Sequence, residues 1–141
     1  MKELSFVDTN ILVYAYDIDS GNKHKLALNL IDSLWANRDG VLSTQVLCEF
    51  FVTVTRKIPN PISIDYARQI IKDYISSWKT IVITSDILLL AIDILKEHHF
   101  SFWDALICAT ARYSGAVRIF TEDFQHKNTI DSIEFVNPFL L

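Results

Sequence analysis

The stretch that decides the fold is Leu4-Ser5-Phe6-Val7-Asp8-Thr9-Asn10-Ile11-Leu12-Val13-Tyr14-Ala15-Tyr16. Leu4 to Val7 is short and largely apolar and reads as a buried strand; Ile11 to Tyr16 reads as helix. Between them stand an acid and two small polar residues, Asp8, Thr9 and Asn10. A buried strand passing into a helix is the first half of a β–α unit. In open α/β sheets, ligands bind outside the carboxyl ends of the strands. Asp8 is therefore expected on the functional edge.

The alternation continues outward along the chain. Lys23 to Asn37 has helical spacing, with Leu26, Leu30, Ile31 and Leu34 on one face, and Arg38-Asp39-Gly40 stops it. Val41-Leu42-Ser43 is a second strand. Thr44 is placed to cap a helix running to about Lys57, and Pro59-Asn60-Pro61 ends that helix. Ser63 opens another, to about Trp78, with Ala67, Ile70, Ile71 and Tyr74 inward. Thr80 to Ile83 is a third strand. Thr84 or Ser85 caps a helix to His98, and Ser101 caps one to Ser114 that stops at Gly115. Val117 to Phe120 and Ile133 to Val136 complete the set. The pattern predicts one α/β domain over residues 1–141, with a short central parallel sheet of about five strands and helices on both faces. There is no internal repeat, low-complexity tract or domain boundary.

Four acids occupy unusual places. Asp8 follows the first strand and Asp123 the fourth, although a helix cap and a turn would also explain them. Glu49 lies in Val46-Leu47-Cys48-Glu49-Phe50-Phe51-Val52. It flanks a core stripe of Leu47, Phe50, Phe51, Val54 and Ile58, beside Gln45, Thr53 and Arg56. An acid there needs a partner or loses its charge; Arg56 or solvent is the ordinary partner. Asp104 completes a cap pattern with Ser101, yet it also aligns with Ile107, Cys108 and Ala111 on the stripe that should face the sheet. Wound as a parallel sheet, the chain brings all four to one rim. Two unit charges about 4 Å apart cost about 4 kcal/mol at an effective dielectric near 20. Either some are protonated or a cation is present. Oxygen ligands without histidine favour Mg²⁺ or Mn²⁺ over zinc, and such ions suit phosphoryl chemistry.

Net charge is −4, from 17 acids and 13 bases. This weighs against nucleic acid, but setting aside the four candidate ligands leaves 13 against 13, so net charge decides little. Lys23, Lys25, Arg56, Arg112 and Lys127 are scattered; Arg56, on the flank of Glu49, is the best candidate for a phosphate contact. His24, His98, His99 and His126 read as surface residues, with His126 a minor candidate for phosphate. Cys48 and Cys108 read as buried free thiols. Trp35, Trp78 and Trp103 read as core or dimer contacts. The longest apolar run, Ile87 to Ile92, is too short to span a bilayer, and the N-terminus has no signal-peptide core. A cytoplasmic protein with no membrane segment is expected.

Taken together, four segments resemble the motifs of PIN-domain nucleases. They are Phe6-Val7-Asp8-Thr9-Asn10, Ser43-Thr44-Gln45-Val46-Leu47-Cys48-Glu49-Phe50, Ser101-Phe102-Trp103-Asp104-Ala105-Leu106-Ile107 and Phe120-Thr121-Glu122-Asp123-Phe124-Gln125-His126. Each is weak alone; their order and spacing match over nearly the whole chain, and most resemble VapC-type toxins of toxin–antitoxin pairs. The resemblance implies a Mg²⁺- or Mn²⁺-dependent endoribonuclease with acid ligands at Asp8, Glu49, Asp104 and Asp123. Thr9, Asn10 and Thr121 would support them. It also implies an RNA substrate, a homodimer and a cognate antitoxin. Glu122 leaves open which oxygens of the fourth motif reach metal. Two rivals stand beside this reading. A metal-dependent phosphotransfer domain also places an Asp after its first strand, but the second Asp common in such phosphatases is here Asn10. A non-catalytic binding module on the same fold would have no need of clustered carboxylates.

Overall fold

A computed structural model describes residues 2–141. Six strands form one sheet in the order β3-β2-β1-β4-β6-β5, where β1 is Ser5–Val7, β2 Gly40–Ser43, β3 Lys79–Ile81, β4 Arg118–Phe120, β5 Thr129–Ile130 and β6 Ile133–Val136. Every pairing is parallel except β5 with β6. The helices are α1 (Thr9–Tyr14), α2 (Asn22–Asn37), α3 (Thr44–Arg56), α4 (Ile64–Ser77), α5 (Ser85–Glu97) and α6 (Phe102–Ser114). The chain builds outward from β1 to β2 to β3, then returns across β1 to β4. Right-handed crossovers put α1 to α4 on one face and α5 with α6 on the other. The observed packing agrees: α1 touches α2 and α3, α3 touches α4, and α5 lies along α6.

The central strands are short and wholly buried: Ser5 to Val7 and Gly40 to Ser43 are shielded throughout. Behind β2 and β3 lies an aromatic block of Tyr16, Trp35, Phe50, Tyr74 and Trp78, with ring centroids 4.8 to 6.4 Å apart. The hydroxyls of Tyr16 and Tyr74 bond each other at 2.9 Å, which satisfies two polar groups without water. Gly40 belongs to this block as much as to a turn. A Cβ there would stand 2.4 Å from the Trp78 ring, so the indole and the β2 backbone can approach only because the side chain is missing.

The sheet has one strand more than the sequence predicts. β5 is two residues long and joins β6 through Asp131 and Ser132, both at positive φ (50° and 68°). That is the geometry of a tight two-residue hairpin, normally signalled by Asn-Gly or Asp-Gly; Asp-Ser gives no such signal. In α2 the buried face is Ala27, Ile31 and Leu34, while Leu26 is 36 % exposed. Ile31 and Leu34 are buried as expected and Leu30 packs against the core, but Ala27 takes the inward place expected of Leu26. Ser43, not Thr44, caps α3, accepting from Val46 N at 3.2 Å. The Thr44 hydroxyl instead accepts from Ile83 N at 3.3 Å and ties α3 to the end of β3. β3 stops at Ile81, and Val82 points outward, 64 % exposed. No helix among the described residues is long and apolar enough to cross a membrane.

Candidate functional site

Crossovers leave β1 in one direction and enter β4 from the other, so the chain parts company between these two strand ends. Such a switch point opens a crevice in a parallel sheet. Asp8 stands at the end of β1 and Thr121 at the end of β4, and they are joined across it. The Thr121 hydroxyl donates to Asp8 Oδ2 at 2.8 Å, and Asp8 Oδ1 accepts from Thr9 N at 2.7 Å. The Asp123 amide donates to the same Thr121 hydroxyl at 3.1 Å. One buried threonine thus sets the position of one acid and the backbone of another.

A cleft of about 650 Å³ opens above this junction, and Asp8, Glu49, Asp104 and Asp123 all line it. α3 brings Glu49, whose Oε1 accepts from the Thr9 hydroxyl at 2.7 Å. α6 brings Asp104 from its first turn, where the backbone amide of Asp104 is capped by Ser101 Oγ at 3.1 Å. Asn10 also lines the cleft; both its amide atoms are buried without a hydrogen bond of ordinary geometry. Thr121 lies beneath the lining, fully buried behind Asp8.

Electrostatics set this cleft apart. Burial pushes the Asp8 carboxyl up to about 7; the bonds from Thr121 and Thr9 oppose that rise, and the charges of Asp123 and Asp104 add to it. Asp104 is raised by burial and by Glu49, and Asp123 by burial and by Asp104. Against four acids the lining holds a single base, Lys57. An all-oxygen donor set short of positive charge fits a hard divalent cation. The side chains are spread around the cleft, not gathered: among the described residues no three Asp, Glu, His or Cys side chains are grouped closely enough to hold one ion. Asp8 is fixed, so gathering ligands there takes rotation of Glu49, Asp104 and Asp123, which are not fully buried.

Several expected contributors stand elsewhere. Arg56 is exposed in the last turn of α3 and does not line the cleft; its neighbour Lys57 does. His126 is occupied structurally, its Nδ1 accepting from Asn137 N at 2.9 Å. Arg112 pairs with Asp131 at 3.1 Å and Lys23 with Glu122 at 2.7 Å. Cys108 is buried as expected, but Cys48 is exposed and lines the cleft. It is one turn before Val52 and adjoins Glu49, on the side of α3 opposite the buried Val46, Phe50 and Val54 stripe. Trp35 and Trp78 belong to the aromatic block, whereas Trp103 is 61 % exposed at the cleft rim. Tyr14, Gln45 and Lys57 also line the cleft; nothing local in the sequence marks them.

The PIN domain family model matches residues 5–130. No curated protein sequence matches the chain. Among solved structures, the fold is similar to VapC20 of Mycobacterium tuberculosis, described as a sarcin-ricin loop cleaving toxin (22 % identity, TM-score 0.63, covering 84 % of this chain and 89 % of that one). It is also similar to a chain of a toxin–antitoxin complex from Klebsiella pneumoniae (22 % identity, TM-score 0.67, 95 % and 97 % covered). A third is from VapBC2 of Rickettsia felis bound to a fragment of promoter DNA (20 % identity, TM-score 0.64, 94 % and 96 % covered). At these identities the likeness is one of fold.

Proposed function

The chain belongs to the PIN domain family, and on that premise we propose that it is a divalent-metal-dependent endoribonuclease, the toxin of a toxin–antitoxin pair. The observation that carries this reading is that Asp8, Glu49, Asp104 and Asp123 all line one cleft with only Lys57 as a base beside them. RNA as substrate and an antitoxin as partner rest on the motif resemblance and on the toxin–antitoxin character of the structural neighbours. The resemblance likewise suggests a homodimer.

Asp8, Glu49, Asp104 and Asp123 would hold Mg²⁺ or Mn²⁺, which when bound supplies the charge that polarises a phosphate and lowers the pKa of water. The rest is done by the chain itself. Thr121 and Thr9 fix both oxygens of Asp8, and the Thr9 hydroxyl also steadies Glu49. Thr9 therefore links Asp8, at the end of β1, to Glu49 on α3. Lys57 offers the cleft's positive contact for a phosphodiester. Trp103 offers an exposed aromatic face for an unpaired base. A protein nucleophile has no support here. None of the four histidines lines the cleft, so the exposed Cys48 there has no imidazole to activate it, and Cys108 is buried outside the lining. A phosphotransfer role for Asp8 has less support, because the position two residues on, where such phosphatases commonly carry a second Asp, is Asn10.

Purified protein should cut single-stranded RNA with Mg²⁺ or Mn²⁺ and stop when a chelator is added. Asp8→Asn and Glu49→Gln should each lower cleavage by about a hundredfold or more, as expected when charge stabilisation in the transition state is removed. Cutting at the wild-type rate by both variants would refute the assignment.

A further inference from the structure

Glu122 is an acid inside the fourth motif, beside Asp123, and it does not line the cleft. Its side chain is directed into a separate cluster made by elements distant in sequence. The Tyr14 hydroxyl donates to Glu122 Oε1 at 2.5 Å, and Lys23 Nζ bonds Oε2 at 2.7 Å. Both carboxylate oxygens are thus engaged. Lys23 Nζ also lies 5.1 Å from the Tyr14 ring centroid and 5.3 Å from that of Phe139. The Tyr14 and Phe139 rings meet edge to face at 5.4 Å. The cluster joins the end of α1, the first turn of α2 and the C-terminal turn to the segment following β4. Tyr14 belongs to both places, since it also lines the cleft.

This arrangement has two consequences for Asp123. Glu122 anchors the residue immediately before it, and the Thr121 hydroxyl accepts from the Asp123 amide, so the chain is held on its approach to Asp123. The segment therefore has little freedom where Asp123 projects. Lys23 also balances the charge of Glu122, so that the fourth motif presents one acid to the cleft and not two. We propose that Tyr14, Lys23 and Glu122 form a clamp that positions Asp123 for the divalent cation, with Glu122 an anchor and not a ligand. The inference rests on the metal-binding reading above.

Ligand and anchor make opposite forecasts for Lys23. An anchor loses its hold when Lys23 is removed, so metal binding weakens. A ligand is released by the same change, so binding stays equal or tightens. The test is calorimetric titration of Mn²⁺ into the full-length protein, alongside thermal unfolding of each variant without metal. Lys23→Met and Glu122→Gln should each weaken Mn²⁺ binding about threefold, the scale of a partly exposed ion pair. The double variant should be no weaker than the weaker single one, because both remove the same link. Lys23→Arg should restore binding. Tyr14→Phe, which keeps the ring packing and loses the hydroxyl, should weaken it to a similar degree. These shifts should appear with unfolding temperatures close to wild type, which separates positioning from general destabilisation. Unchanged binding in Lys23→Met beside a large loss in Glu122→Gln would overturn the clamp and make Glu122 a ligand. Unchanged binding in all variants would overturn both roles. If wild type itself binds no Mn²⁺, the nuclease reading fails and the clamp falls with it.

Discussion

Glu122 and Asp123 are adjacent, and the fold treats them in opposite ways. On the α2 side of this segment, Glu122 meets a base and a phenol that satisfy both its oxygens. On the cleft side, Asp123 joins three other acids around one base. The chain is able to neutralise an acid with its own side chains, and does so a single residue away. Buried or clustered charge left uncompensated is costly. On the proposed reading, its restriction to one face of this segment leaves the cleft to take its positive charge from outside.

The largest expected effect that sharpens this contrast concerns Asp8. Its carboxyl is raised to about 7 by burial, whereas an unfolded Asp titrates near ~4. In metal-free protein the folded state holds a proton that the unfolded chain has already released. The stability this contributes is complete below about pH 4 and is lost as pH rises through about 7. The loss amounts to about 4 kcal/mol at most. Urea unfolding in chelator should therefore show wild type losing several kcal/mol between about pH 4 and about pH 8. Asp8→Asn, which cannot ionise there, should lose much less. Parallel pH profiles for the two proteins would mean that the cleft carries no unusual charge cost.

A smaller effect comes from supplying the missing base. Cys48 is exposed in the cleft beside Glu49. Cys48→Arg should weaken Mn²⁺ binding about tenfold, roughly 1.4 kcal/mol, because the new cation competes for the same carboxylates. It should leave the metal-free protein at least as stable at about pH 8. Undiminished Mn²⁺ affinity would break the comparison. The threefold shift at Lys23 is the smallest of the set and tests the other side of the segment.

Much of this was legible in the chain because it depends on local order. β1 and β2 are apolar runs followed by polar residues; Asp8 and Asp123 follow strand ends, Asp104 sits in the first turn of α6 and Glu49 in the second turn of α3. The parallel topology then carries them to one rim. What stayed illegible depends on contacts between distant residues or on a turn with unusual residues. The Tyr14, Lys23, Glu122 and Phe139 cluster spans more than a hundred positions and has no sequence spacing to betray it. The β5–β6 hairpin turns on Asp131 and Ser132, where glycine or asparagine is the usual signal. The exposure of Cys48 and the burial of Ala27 in place of Leu26 reflect helix phase, which tertiary packing sets to within one residue. Arg56 and Lys57 adjoin in sequence, and only the end of α3 decides which of them turns into the cleft.

The central claim is that the four carboxylates jointly await a cation, and thermal unfolding with Mn²⁺ tests it most directly. At about pH 8, Mn²⁺ near a hundredfold above its Kd should stabilise wild type by about 2.7 kcal/mol. The same addition should do little for Asp104→Asn. An unfolding temperature that Mn²⁺ leaves unmoved in wild type, or raises equally in both proteins, would contradict the account.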